Sequence, residues 1–354
     1  MSETSFIIDV RDACRSGRTG KGQWTYGFVS ELLRRKIPLT LLTDADVPVE
    51  WKAEGCSVVR MSGSGLRWHW NVLRWLKSRP GATYISPTSY IVPAFAPRSV
   101  RCIPMIHDLI AFRGEHHDRK ATMIERLLLP RVIRRCRILC SISESTKQDL
   151  LMRFPHLDPL RITPIFAGPS HMHPELSHSD GRTILCIATL CPRKNHLRLI
   201  QAFTALPVDG RSSHRLVLAG GRGWHDDEII QTAKTTPGVE WLGYVDGKGY
   251  DELLKSCTVF ALPSLYEGFG MQILDALQRG IPVLTSDRGS LRELADGAAL
   301  IVDPEDVGSI SRGLETLLRD ASVRSDLAEK GRQRAALYSW RRTVDTFLSF
   351  ALKS

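Results

Sequence analysis

Residues 261–275 read ALPSLYEGFGMQILD, and this stretch decides the architecture. An apolar run ends at Pro263, a short polar loop follows, and Gly268 and Gly270 bracket Phe269. Met271, Ile273, Leu274 and Leu277 then recur at helical spacing. A buried strand therefore feeds a glycine loop that opens a helix. Glycine lets a backbone approach a ligand with no Cβ in the way. The first turn of a helix leaves N–H groups unpaired and carries partial positive charge, which suits a phosphate. Two carboxylates flank this point, Glu267 in the loop and Asp275 eight positions on. At about 1.5 Å of rise per residue they lie on the order of 10 Å apart. That is too wide for an acid–base pair on one bond. It fits two ends of one extended, phosphate-centred ligand. Taken alone, the glycines also describe an ordinary strand-to-helix turn, and Asp275 a solvated helix face.

Working outward, short apolar runs alternate with helical patterns along all 354 residues. The first half holds Phe6–Val10, Leu39–Thr43, Ser57–Met61, Thr83–Ser86, Cys102–Ile106 and Ile138–Ser141. The second holds Ile184–Ala188, Arg215–Ala219, Val239–Leu242, Val259–Leu262, Pro282–Thr285 and Ala299–Val302. Such alternation predicts an α/β fold of parallel sheets with helices on both faces. Twelve strands exceed one ordinary open sheet. The break falls in AGPSHMHPELSHSDGR, residues 167–182, rich in Pro, Ser, His and Gly. The organisation predicted is a first doubly wound domain over 1–167, a linker over 168–182, a second over 183–338, and a final helix over 339–354. Ligands of such sheets sit beyond the carboxyl ends of the strands, so the cleft between the halves is the expected site.

With that frame in place, YEGFGMQILDALQRGIPVLTSDRGSLRELADGAALIVDP resembles the donor-binding segment of retaining glycosyltransferases of the GT-B fold, family 4. The resemblance implies two Rossmann-like domains, with the last helix, SWRRTVDTFLSFAL, crossing back onto the first. The family places a second glutamate where Asp275 stands, one methylene shorter here. By resemblance Glu267 binds donor-sugar hydroxyls and Asp275 the ribose, so that Asp275→Glu should be tolerated. Gly268, Phe269 and Gly270 line the donor. TLCPRKN, residues 189–195, resembles the diphosphate-binding loop of a branch rich in mannosyltransferases, with Arg193 and Lys194 as cations and Asn195 beside them. An arginine clamps oxygens bidentately and a lysine acts as a point charge. LVLAGGRGW contributes Gly221, and the backbone of Tyr244 and Val245 borders the nucleotide base. Gly20 and Gly22 resemble the family's first glycine loop. His107, at the end of IPMIHDL, matches a histidine that faces the donor sugar. The catalytic set implied is His107, Arg193, Lys194 and Glu267. A front-face mechanism is implied, with no metal and no cofactor beyond the nucleotide-sugar substrate.

Lys and Arg total 48 against 38 Asp and Glu, a net charge of +10, which points to anionic partners. No nucleic-acid motif accompanies that charge. The eight cysteines form no C-x-x-C pair and read as thiols of a reducing cytosol. No basic leader or long apolar run marks a signal peptide or spanning helix. His116–His117, His171-x-His173 and His178 lack matching ligand spacing for a metal. LRWHWNVLRWLKSRP, residues 66–80, places Trp68, Trp70 and Trp75 among Arg67, Arg74, Lys77 and Arg79. Residues 125–137 add Arg126, Arg131, Arg134, Arg135 and Arg137. Aromatics beside cations suit an anionic membrane surface, and equally a packed surface helix. SESTKQDL, residues 143–150, reads as a helix start with Ser145 and Gln148 as a capping box. The expectation is a cytoplasmic enzyme, peripheral at the inner membrane face. It would transfer a sugar, mannose from GDP-mannose as first choice, to a lipid-linked or oligosaccharide acceptor of surface-polysaccharide assembly. A nucleotide-sugar 2-epimerase and a non-catalytic donor-binding homologue are the alternatives.

Overall fold

A computed structural model describes residues 5–113, 119–171, 174–245 and 247–353. The chain divides into two units, Met1–Gly168 with Ser339–Ser354, and Pro169–Tyr338. Unit 1 holds strands β1 (Phe6–Asp9), β2 (Leu39–Thr43), β3 (Ser57–Arg60), β4 (Thr83–Ser86), β5 (Arg101–Ile106), β6 (Leu139–Ser141) and β7 (Ile162–Pro164). They lie in the order β3-β2-β1-β4-β5-β6-β7, every pair parallel. Unit 2 holds β8 (Thr183–Ile187), β9 (Arg215–Ala219), β10 (Val239–Trp241), β11 (Val259–Leu262), β12 (Val283–Ser286) and β13 (Leu300–Val302). Their order is β10-β9-β8-β11-β12-β13, again all parallel.

The central strands FIID, TYIS, TILCI and VFAL are buried at every position, as helices on both faces require. In each sheet the order reverses once, between β1 and β4 and between β8 and β11. At such a point neighbouring connections leave in opposite directions and open a crevice above the strand ends. The sequence reading missed β7. It has three residues, ends on Pro164 and lies at a sheet edge, where a proline costs no ladder bond.

Three further expectations change. The stretch 168–182 is no detached linker, because from Pro169 its described residues belong to unit 2. Ser177 Oγ donates to Lys255 O at 3.0 Å, Ser179 Oγ to Thr258 Oγ1 at 2.9 Å, and Asp180 accepts from Thr183 N at 2.8 Å. The helix Glu144–Arg153 is capped by Ser143, which accepts from Thr146 N at 2.9 Å, and not by Ser145. In the helix Gly65–Lys77, Trp68 is 0% exposed with the Arg11 guanidinium 3.4 Å from its ring centroid. Trp75 is half-buried under Arg79. Of the three tryptophans only Trp70, at 65%, faces solvent.

The arginines of the helix Arg119–Arg135 are also largely occupied. Arg126, Arg131 and Arg135 donate to the carbonyls of Ala111, Ala94 and Ala96. The last helix, Trp340–Ala351, packs within unit 1. Phe347 lies 5.6 Å from Phe6 and 5.0 Å from Phe28, ring to ring. A Cβ on Gly27 would stand 2.1 Å from Trp340, so that position has room for glycine alone.

Candidate active site

β8 and β11 are hydrogen-bonded neighbours at the switch point, so the turns that follow them meet. After β8 comes a single 3-10 turn, Pro192–Lys194, and after β11 the loop to Gly270. Arg193 Nη1 donates to Glu267 Oε2 at 2.9 Å and also to the Tyr266 carbonyl. Lys194 Nζ donates to Glu267 Oε1, which accepts from Ser264 Oγ at 2.8 Å as well. Glu267 is 5% exposed and Lys194 7%, so the pair is a buried one. Burial raises the Glu267 carboxyl pKa. The charges of Lys194 and then Arg193 outweigh that and hold it at about 2. The three residues that the sequence placed 73 and 74 positions apart thus form one ionised cluster.

Two backbone devices hold the cluster. Asn195 adopts the left-handed conformation, φ 63°, and its amide donates to Pro263 O at 2.9 Å and Pro304 O at 2.6 Å. The side chain thereby ties the β8 turn to the β11 loop. Ser290 donates through both N and Oγ, each at 3.0 Å, to the Glu267 carbonyl. Asn195 is 3% exposed; its side-chain amide donates to two protein carbonyls and its Oδ1 accepts from Arg198 Nη1 at 3.1 Å.

Gly270 caps the helix Met271–Gln278 with φ 95°, a conformation a side chain would strain. Gly268 is half-buried, and Phe269 is buried against Tyr338 at 5.8 Å. Asp275 departs from one of the two readings made of it. It is no solvated helix face, being 0% exposed. Its carboxylate is engaged by three protein donors. Oδ1 accepts from Ser170 N at 2.7 Å, and Oδ2 accepts from Ser170 Oγ at 2.7 Å and Tyr250 Oη at 2.6 Å.

In the loop after β9, Gly220 and Gly223 are the positions that demand glycine. A Cβ there would fall 1.9 Å from Ala188 O and 2.3 Å from Leu190 O. Gly221, the residue singled out from sequence, meets only Tyr244 at 3.8 Å. Tyr244 is 55% exposed and Val245 half-buried beyond β10. Sequence reasoning overlooked His196, which directly follows the cation turn. It is 1% exposed and held neutral, with its pKa lowered to about 4 by burial and then by Lys194. Its place in an otherwise apolar helix-start pattern carried no signal of that burial.

Unit 1 carries the remaining candidates. His107 follows β5, is 5% exposed, and places Nε2 2.7 Å from the Pro87 carbonyl. The Trp24 ring stands edge-on to it at 5.7 Å. Burial, then the charge of Lys21, lowers its pKa to about 3. Gly22 is explained by packing, since a Cβ would lie 2.4 Å from Asp12 O. Gly20 opens the helix Gly20–Arg34 with nothing within 4 Å of a Cβ. Glu125 was not singled out. Its Oε1 is buried with no partner among the described residues, and burial followed by Asp108 raises its pKa to about 7.

Among the described residues no three His, Cys, Asp or Glu are grouped to hold a metal ion. His116, His117 and His173 lie outside the described residues. His171 Nε2 stands 3.5 Å from Asp251 Oδ2. All eight cysteines are free thiols. No helix among the described residues is long and apolar enough to cross a membrane.

Comparison with known proteins agrees with this geometry. Residues 170–334, nearly the whole of unit 2, match the family described as glycosyl transferases group 1. The O-antigen chain mannosyltransferase B of Escherichia coli is 29% identical over 271 residues, 72% of this chain and 71% of that protein. The serotype-specific mannosyltransferase WbdA of Escherichia coli is 30% identical over 166 residues, 46% of this chain and 20% of its own length. Among solved structures, HepE of Anabaena in complex with UDP and glucose superposes with a TM-score of 0.79 at 14% identity, covering 99% of this chain and 100% of that one. The fold is therefore GT-B, and residues 170–334 carry the group 1 glycosyl transferase match, with mannosyltransferases among the similar proteins.

Proposed function

We propose that the chain is a retaining hexosyltransferase that moves mannose from GDP-mannose to a hydroxyl of a lipid-linked or growing polysaccharide acceptor. The setting is assembly of an O-antigen or related surface polysaccharide, the role named for the Escherichia coli relative. One observation carries the reading. Two cations and one carboxylate, from turns far apart in sequence, meet at the strand ends of the unit 2 switch point. In the reaction the bond from the anomeric carbon to the diphosphate breaks, and a bond to the acceptor oxygen forms on the same face. The acceptor's proton passes to the leaving phosphate oxygen. Arg193 and Lys194 supply fixed positive charge where the leaving group gains negative charge. An ammonium has three donors, and Glu267 Oε1 takes one of Lys194's. Glu267, held ionised, is an acceptor for sugar hydroxyls. By family resemblance the helix end at Gly270 adds partial positive charge beside the diphosphate, and His107 is assigned to the reacting sugar. No divalent ion and no further cofactor enter this scheme.

The test is transfer of isotope-labelled sugar from a panel of nucleotide-sugars, GDP-mannose first, with and without lipid-linked acceptors. Label in the lipid fraction, falling at least tenfold in turnover with Lys194→Ala, is the expected result. A clamp contact in a dry site is worth roughly 2–4 kcal/mol. Epimerised or released nucleotide-sugar products would favour the 2-epimerase reading. Binding without turnover would favour a non-catalytic homologue.

The same proposal places the chain at an anionic membrane surface through unit 1. Leu66 and Trp70, 73% and 65% exposed, share a face of their helix with exposed Arg67, Arg74 and Lys77. Each such cation contributes about 1 kcal/mol near anionic lipid. Co-sedimentation with anionic vesicles at low salt, abolished by charge reversal at the three cations, is expected. Indifference to such vesicles would leave the acceptor soluble.

A further inference from the structure

Ser170 is the second residue of unit 2, and it meets Asp275 with two donors at once. Its backbone N–H reaches Oδ1 and its hydroxyl reaches Oδ2, each at 2.7 Å. One donor on each oxygen is also the pattern that a vicinal diol makes with a carboxylate. A nucleoside diphosphate carries such a diol in the 2′- and 3′-hydroxyls of its ribose. With Asp275 0% exposed, that diol has no approach while Ser170 is in place.

We propose that Ser170 holds the place of the donor's ribose on Asp275, so that a nucleoside diphosphate binds by exchanging the Ser170 pair for its own diol and releasing the chain at 169–171. The inference rests on the donor reading above. The exchange is near balance, two donors leaving and two arriving, so affinity is reduced by the worth of the pair displaced. Tyr250 Oη, on the helix Gly247–Ser256, keeps the carboxylate seated throughout. The shorter acid matters here, because the carboxylate of Asp275 sits close enough to its helix to meet Tyr250 and Ser170 together. A second, weaker hold on the same segment is His171, 3.5 Å from Asp251, which Arg279 also binds.

The experiment is titration calorimetry of the full chain with GDP and UDP and with their 2′,3′-dideoxy counterparts. Ser170→Ala removes the hydroxyl donor and should tighten the ribose nucleotide about fivefold, the worth of one ordinary hydrogen bond, with no change for the dideoxy form. Unchanged affinity, or equal tightening of both forms, overturns the proposal. Hydrogen exchange of the unsubstituted chain provides the second reading. Saturating nucleotide should speed exchange at the Ser170 amide, and unchanged or slower exchange overturns it. Binding of neither GDP nor UDP by the unsubstituted chain brings down the donor reading and this inference together. Binding with no preference for ribose over dideoxyribose brings down this inference alone.

Discussion

Glu267 and Asp275 stand eight residues apart on either side of one glycine turn, both out of solvent, and they are held by opposite kinds of partner. Glu267 is an ion among ions, balanced by Lys194 and Arg193 with one hydroxyl from Ser264. Asp275 is held by donors with no formal charge, a backbone N–H and two hydroxyls. The first arrangement resists change, because removing either side strands a buried charge. The second can be traded for another set of hydroxyls at little cost. The proposed ligand-binding strand end and the proposed latch thus occupy the two ends of one short segment.

The largest effect expected is on the ionic end. Glu267→Leu leaves the buried Lys194 and the half-buried Arg193 without their counter-charge and should cost about 3–5 kcal/mol in urea unfolding of unit 2. A loss under about 1 kcal/mol would show the cations to be satisfied elsewhere and would erase the contrast. Next comes the neutral end. The sequence expectation was that Asp275→Glu is tolerated. With Asp275 0% exposed, the added methylene has no room and should cost about 1–3 kcal/mol instead. A neutral outcome would mean the Ser170 contact yields readily, which sharpens the latch over the anchor.

The smallest effect is a titration. Glu267 is held at about 2 against an ordinary 4.5, so its contribution is complete above about pH 4.5 and is lost as pH falls toward 2. His196 is a base held near 4 against 6.5, so folding favours its neutral form, and that contribution is lost as pH falls from 6.5 to 4. The buried His69 and His107, near 4 and 3, add to the upper window from unit 1. His196→Leu should therefore flatten part of the pH dependence of stability between 6.5 and 4 and leave the loss below 4.5 in place. An unchanged slope in the upper window would show that His196 opens to water before the unit unfolds.

Much of this was legible in order of local signal. Runs such as TILCI and VFAL announced buried parallel strands because both faces of such strands are apolar. Gly268 and Gly270 announced a glycine loop ahead of a helix, and φ at Gly270 is 95°. That Arg193, Lys194 and Glu267 share one site rested on resemblance at the sequence level, and their ion pairing was not foreseen, since nothing local joins positions 73 apart. The mistakes have one source. Trp68 and Trp70 look alike in a list, and only the helix phase against its neighbours separates 0% from 65% exposure. The arginines at 126, 131 and 135 look like free charge until the carbonyls of Ala111, Ala94 and Ala96 are set beside them.

What the sequence by itself determined was the succession of strands and helices, the positions where the backbone needs glycine, and which side chains carry charge. These follow from periodicity and from φ preferences, which act over a few residues. What only the tertiary structure decided was which charges are spent. The switch between β8 and β11 set Glu267 against two cations, and the path of the chain through Ser170 set two donors on Asp275. Hydrogen bonding and desolvation act between atoms brought together by the sheet order, whatever their separation along the chain.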